Sequence, residues 1–177
     1  MSREIVNSDS AQSNRNDWLR LDSAALLKQC REERYRASGP GGQRRNKVET
    51  AVRLRHGPSG VVSQAEESRS LAENRTRAVR RLRERIALTC RAPISLDAPA
   101  LPLEFQGQIG RDGSLAVNPR NRAYPIVVAT VLDALAAADG SYAGAGRALG
   151  MTTSRVIRFL QADRELWRAV EAVRAVK

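Results

Sequence analysis

The chain has 177 residues, 42% hydrophobic but only 4% aromatic, which suits one domain or two small ones with modest cores rather than a disordered polymer. Thirty Lys and Arg against 19 Asp and Glu give a net charge of +11, the balance of a protein whose partner is a polyanion. No run approaches the roughly 18 apolar residues of a membrane span. Glu4, Asp9 and Asp17 exclude a secretory signal, and Cys30 and Cys90 form neither a metal-spaced cluster nor a disulfide framework. A cytoplasmic monomer without metal or cofactor is expected.

The charge is concentrated. Between Lys28 and Arg91 there are 17 basic and 7 acidic residues, and the remainder of the chain is nearly neutral. Composition divides the chain into a polar N-terminus (1–17), a basic domain (18–91), a Pro- and Gly-bearing linker (92–113) and an Ala-rich helical domain (114–177). Within the basic domain, Asp17 to Cys30, apolar at Trp18, Leu19, Leu21, Ala25, Leu26 and Leu27, predicts a short helix capped by Asp22 or Ser23. Arg31 to Ala37 is a charged candidate strand. Ser38 to Asn46 is a loop, rich in Gly and Pro. Thr50 to His56 alternates apolar and basic residues, the period of a half-buried strand. Gly57-Pro58-Ser59-Gly60 predicts a turn, and Val61 to Gln64 the returning strand. Ser68 to Leu88 predicts a helix with Leu71, Ala78, Val79, Leu82 and Ile86 on one face and arginines over the rest.

The loop Arg36-Ala-Ser-Gly-Pro-Gly-Gly-Gln43-Arg-Arg-Asn-Lys47 lacks the Gly-Lys-Ser/Thr of a phosphate loop and is not a dinucleotide fingerprint. Its context carries the signal. Arg36, Ser38, Gly39, Gly41, Gly42, Gln43, Asn46, Lys47, His56, Pro58, Gly60, Arg69, Ser70 and Asn74 follow in the order of one family pattern. The string resembles the catalytic domain of class I peptide-chain release factors and their ribosome-rescue relatives. Arg44 and Arg45 depart from that pattern, as does Leu71.

The resemblance implies an α+β domain, a small sheet packed on a helix. It also implies hydrolysis of the peptidyl-tRNA ester inside the ribosome, with large-subunit rRNA and peptidyl-tRNA as partners. Gly41, Gly42 and Gln43 are the expected catalytic residues. Two glycines give a tip without side-chain bulk, and the Gln43 backbone N–H would stabilise the developing oxyanion. A neutral amide suits a desolvated cavity better than a charge. Gln43 would also be the target of a glutamine methyltransferase. Arg36, Arg44, Arg45, Lys47, Arg69, Arg75, Arg77 and Arg81 are expected to contact RNA. His56 reads as a hairpin-stabilising residue. Nothing before Arg36 is long enough to hold codon-reading domains, and the end of the chain lacks a basic tail, so codon-independent release in ribosome rescue is expected. The alternative is an RNA- or DNA-binding protein on the same fold without hydrolase activity.

In the second half, Pro125 to Ala138, Tyr142 to Leu149, a helix capped by Thr152 or Thr153, and Glu165 to Val176 predict an all-α unit. Ala145 through Gly150 to Leu160 is similar to a helix-turn-helix, with Arg155 and Arg158 as candidate nucleic-acid contacts. Near-zero net charge favours a packing or protein-docking role as the competing reading.

Overall fold

The computed structural model describes residues 15–36 and 49–175. They divide into two compact units, Asp17–Ile86 and a second made of residues 15 and 16 with 87–175.

The first unit opens on two short helices, α1 (Arg15–Arg20) and α2 (Ser23–Lys28). α1 precedes the expected helix, which opens at its expected cap, Asp22. Its carboxylate accepts from the Ala25 N–H at 2.7 Å, so it starts a new helix rather than continuing the old one. Trp18, Leu19 and Leu26 are buried.

Strands β1 (Cys30–Tyr35), β2 (Ala51–His56) and β3 (Val62–Ala65) form an antiparallel sheet in the order β1-β2-β3. Tyr35 pairs with Ala51 and Cys30 with His56, so β2 runs the full length of β1. β2 obeys its alternation: Val52, Leu54 and His56 are buried while Arg53 and Arg55 are exposed. The β2–β3 turn closes with His56 N–H on Val61 O at 2.9 Å and Gly60 N–H on His56 O at 2.8 Å. Gly60 sits at φ +68°, where a side chain would be strained.

Helix α3 (Leu71–Thr89) covers one face of the sheet. Ala78, Val79, Leu82 and Ile86 are buried at the spacing of three and four that the sequence shows. The Ser63 hydroxyl donates to Ala78 O at 2.8 Å, tying β3 to the helix. This unit is the expected α+β arrangement.

The second unit is helical. The segment 92–113, expected as a linker, carries α4 (Leu103–Gln106) with Phe105 fully buried. Helix α5 (Tyr124–Ala137) is apolar apart from Tyr124, Thr130 and Asp133 and is buried from Pro125 to Leu135, so it forms the core. On it pack α6 (Tyr142–Leu149) and α8 (Arg164–Ala175), and α7 (Thr153–Gln161) packs against α6 and α8. Ser141 caps α6 through Gly144 N–H at 3.1 Å. Gly150 ends it at φ 67°, the left-handed cap that lets α7 turn away. Thr152 holds the N-cap position of α7 without a side-chain cap bond.

One polar cluster lies within this helical core. Asp133 on α5 accepts from Arg15 at 2.7 Å, from Arg91 at 3.3 Å and from the Ala92 N–H at 3.1 Å. Arg15, only 1% exposed, also donates to Cys90 O at 3.0 Å.

Candidate functional site

Gly41, Gly42, Gln43, Arg44, Arg45 and Lys47 lie outside the described residues. What the structure describes is the frame that holds the two ends of their loop. Because β1 and β2 are paired neighbours with Tyr35 opposite Ala51, residues 36–50 connect two adjacent strands at one end of the sheet.

Three contacts brace those roots. Arg36 faces Glu49 at 3.6 Å across the loop base. The Tyr35 hydroxyl donates to Glu66 Oε2 at 3.0 Å. Burial, and then that hydrogen bond to the Glu66 carboxylate, push the Tyr35 hydroxyl pKa up. Asn74, buried in the first turns of α3, donates to Thr50 O at 2.8 Å and Ser68 O at 2.7 Å and accepts from Ser68 N–H at 2.9 Å. The residue that precedes β2 is thereby fixed to the helix. Asn74 belongs to the motif, but its bond to Thr50, like the Tyr35–Glu66 contact, could be found only in three dimensions.

His56 stands at the other end of β2. Five residue steps along the strand separate it from Ala51, roughly 17 Å. Its Nδ1 accepts from the Ser59 N–H at 3.3 Å and pairs with the Ser59 hydroxyl at 2.7 Å, and its Nε2 donates to Gln29 Oε1 at 3.0 Å. That pattern is a neutral imidazole with its proton on Nε2. Burial lowers its pKa. Trp18 packs edge-on against the ring at 5.0 Å. His56 is an organiser of the hairpin, remote from the loop roots.

The arginines of α3 are largely engaged within the unit. Arg75 meets Glu32 at 2.8 Å, Arg81 meets Glu67 at 2.6 Å and Gln64 O at 2.9 Å, and Arg77 lies 3.7 Å from Glu73. Arg81 holds the Glu67 carboxyl below its ordinary pKa. Arg80 pairs with Glu84 at 3.5 Å, and Arg83 and Arg85 donate to Leu21 O and Val62 O at 2.8 and 2.6 Å. Arg69, just ahead of the helix, is exposed and meets no acidic side chain among the described residues.

In the helical unit Arg155 pairs with Asp112 at 3.0 Å, whereas Arg158 is exposed with no ion pair among the described residues. Both line a groove of about 560 Å³, with Val117, Tyr124 and Phe159 among its walls. Hydrogen bonds from Ser114 hold the Asp112 carboxyl below its ordinary pKa, with Arg155 adding to the effect. No described helix is long and apolar enough to cross a membrane, and no group of three or more His, Cys, Asp and Glu gathers among the described residues as a metal site.

Residues 24–95 match the RF-1 domain family. The chain is 54% identical over 52 residues to peptide chain release factor 1 of Chloroherpeton thalassium, covering 29% of this chain and 14% of that one. It is 46% identical over 67 residues to peptide chain release factor 1 of Leptospira biflexa, covering 38% and 19%. It is 52% identical over 56 residues to peptide chain release factor 2 of Acidovorax sp., covering 32% and 15%. The chain therefore spans less than a fifth of the length of these relatives. No solved structure matches it.

Proposed function

We propose, from the RF-1 domain at residues 24–95, that this protein hydrolyses the ester between a nascent peptide and tRNA on the ribosome. The observation that carries the reading is Gly41-Gly42-Gln43 between β1 and β2 of a domain that matches release factors. The loop enters the peptidyl-transferase centre. There the Gln43 N–H donates to the oxygen that gains charge as water attacks, and the neutral side chain confines that water. The charge needed to approach rRNA comes from the basic first unit, with Arg36, Arg44, Arg45 and Lys47 flanking the motif and Arg69 just ahead of α3. Arg75, Arg77 and Arg81 join them only by exchanging a carboxylate partner for phosphate.

Release is codon-independent and serves stalled ribosomes in the cytoplasm. The protein acts as a monomer, with Gln43 a target for methylation. Recognition of the stalled state falls to the helical unit, whose α6–α7 pair offers the exposed cations Arg147 and Arg158.

The test is release of labelled peptide from stalled ribosomes. Gln43→Pro removes the N–H donor, since proline has none, and is expected to slow release by about 10²- to 10³-fold. Gln43→Ala keeps the donor and loses the side chain, and is expected to lose release by a smaller factor, with ribosome binding unchanged for both. Tight binding by the wild type without release from any ribosomal complex would instead establish the alternative, a nucleic-acid-binding protein on a release-factor fold.

A further inference from the structure

The exposed face of the sheet bears guanidinium groups that its own fold leaves under-compensated. Strand parity puts Arg31, Glu33 and Tyr35 of β1 on the same face as Arg53 and Arg55 of β2, away from the buried Val52 and Leu54. The register sets Arg31 directly opposite Arg55 and Glu33 opposite Arg53. Like charges directly opposed on neighbouring strands destabilise the pair they form. Within the Arg31–Tyr35 and Arg53–Arg55 stretch of that face there is one carboxylate, Glu33, against three cations. Glu33 lies 3.4 Å from Arg31 and 4.0 Å from Arg53. Among the described residues Arg55 meets no acidic side chain. Arg53 instead lies over the Tyr35 ring, 5.6 Å from its centre. The Arg31 side chain is 78% exposed.

The contrast with α3 makes this face distinctive. There the guanidiniums meet carboxylates or backbone carbonyls of the same unit, whereas across the sheet the register juxtaposes two cations. Strands about 4.8 Å apart let both guanidiniums reach one anion from adjacent strands. A phosphate between them removes the repulsion and accepts charge-assisted hydrogen bonds from each. The stacked Arg53–Tyr35 pair beside them offers a flat surface on which a base or ribose can rest.

We infer that the open face of the sheet, centred on Arg31 and Arg55, is a binding surface for the RNA phosphate backbone. This rests on the proposed action at the ribosome but concerns binding, not ester hydrolysis, so Gln43 variants leave it untouched.

The test uses the full chain with Arg31→Gln and Arg55→Gln combined. Affinity is measured for vacant ribosomes and for a fluorescein-labelled, protein-free RNA hairpin across a salt series. Losing two phosphate contacts should weaken both complexes at least about tenfold and flatten the slope of log affinity on log salt by about 1.5. The thermal midpoint should be unchanged or higher, because the variant relieves a like-charge pair. Arg80→Gln on α3 removes one charge where the test variant removes two, and should change log affinity by much less than half as much. Unchanged affinity for the hairpin overturns the proposal. Weakening on ribosomes alone also overturns it, and assigns the face to a ribosomal protein. A change of half that size or more in log affinity for Arg80→Gln reduces the effect to net charge and overturns it as well.

Discussion

The two units bury polar anchors of opposite kinds. In Asp17–Ile86 the anchors are neutral: Asn74 holds Thr50 and Ser68 by three hydrogen bonds, and His56 bridges Gln29 and Ser59 as an uncharged ring. In the helical unit the anchor is ionic, with Arg15 and Arg91 converging on Asp133. The neutral amide recovers in hydrogen bonds what it loses in hydration. The ionic cluster does not. Burial lifts the Asp133 carboxyl above its ordinary pKa although two arginines pull it down, and burial lowers Arg91 to about 10 although Asp133 pulls it up. Both directions say that desolvation outweighs pairing. Such a cluster is dangerous to break and cheap to replace.

That difference can be broken experimentally, because each unit carries one of the two tryptophans, Trp18 in the first and Trp167 in the second. Trp167→Phe and Trp18→Phe backgrounds let denaturant unfolding be followed in one unit at a time. The largest effect is expected for Asp133→Ala. It leaves the buried Arg15 and the part-buried Arg91 without their carboxylate and should remove about 3 kcal/mol from the transition seen by Trp167. Replacing the whole cluster, Asp133→Leu with Arg15→Met and Arg91→Met, should come within about 1 kcal/mol of wild type or exceed it. A triple variant as damaged as the single one would show that the ions stabilise the helical core outright. Asn74→Ala ranks next. It leaves Thr50 O, Ser68 O and the Ser68 N–H unpaired and should remove about 2 kcal/mol from the transition seen by Trp18. A larger loss there than for Asp133→Ala would reverse the comparison.

Neither anchor was equally open to reading from sequence. The hairpin, the Gly60 turn and the apolar stripe of α3 follow from short-range periods, and the structure has them within a few residues. Asn74 is marked by the motif, yet its grip on Thr50 joins residues on two elements. Asp133 interrupts the apolar run of α5, and nothing in that run names its partners. Its partner Arg15 lies in a polar N-terminal stretch, 118 residues away. The arginines teach the same lesson. A period of 3.6 tells which side of α3 is polar, but not that Glu32 of β1 and Glu67 will stand opposite Arg75 and Arg81. The alternation of β2 tells that Arg53 and Arg55 are exposed, but only the register brings Arg31 against Arg55.

The smallest expected effect is in pH, where the two anchors should pull in opposite directions. His56 is the one histidine of the chain, and burial lowers its pKa in the fold. Below the ordinary value near 6.5 the unfolded chain takes up a proton that the folded ring refuses. Protonation would set an Nδ1 proton against the Ser59 N–H that Nδ1 now accepts. Stability of the first unit is therefore complete above pH 6.5 and declines as pH falls from there toward the lowered folded pKa. His56→Gln should flatten that slope as read by Trp18, whose ring touches the imidazole. Asp133 has the opposite sign. Its raised pKa means that the folded state binds the proton more tightly, so acidification toward the ordinary carboxylate range favours the fold around Trp167. Denaturation midpoints taken between pH 7 and pH 5 should therefore fall at Trp18 and hold or rise at Trp167. Equal slopes at both probes would mean that the neutral and the ionic anchor respond to protons alike, and the distinction drawn between them would fail.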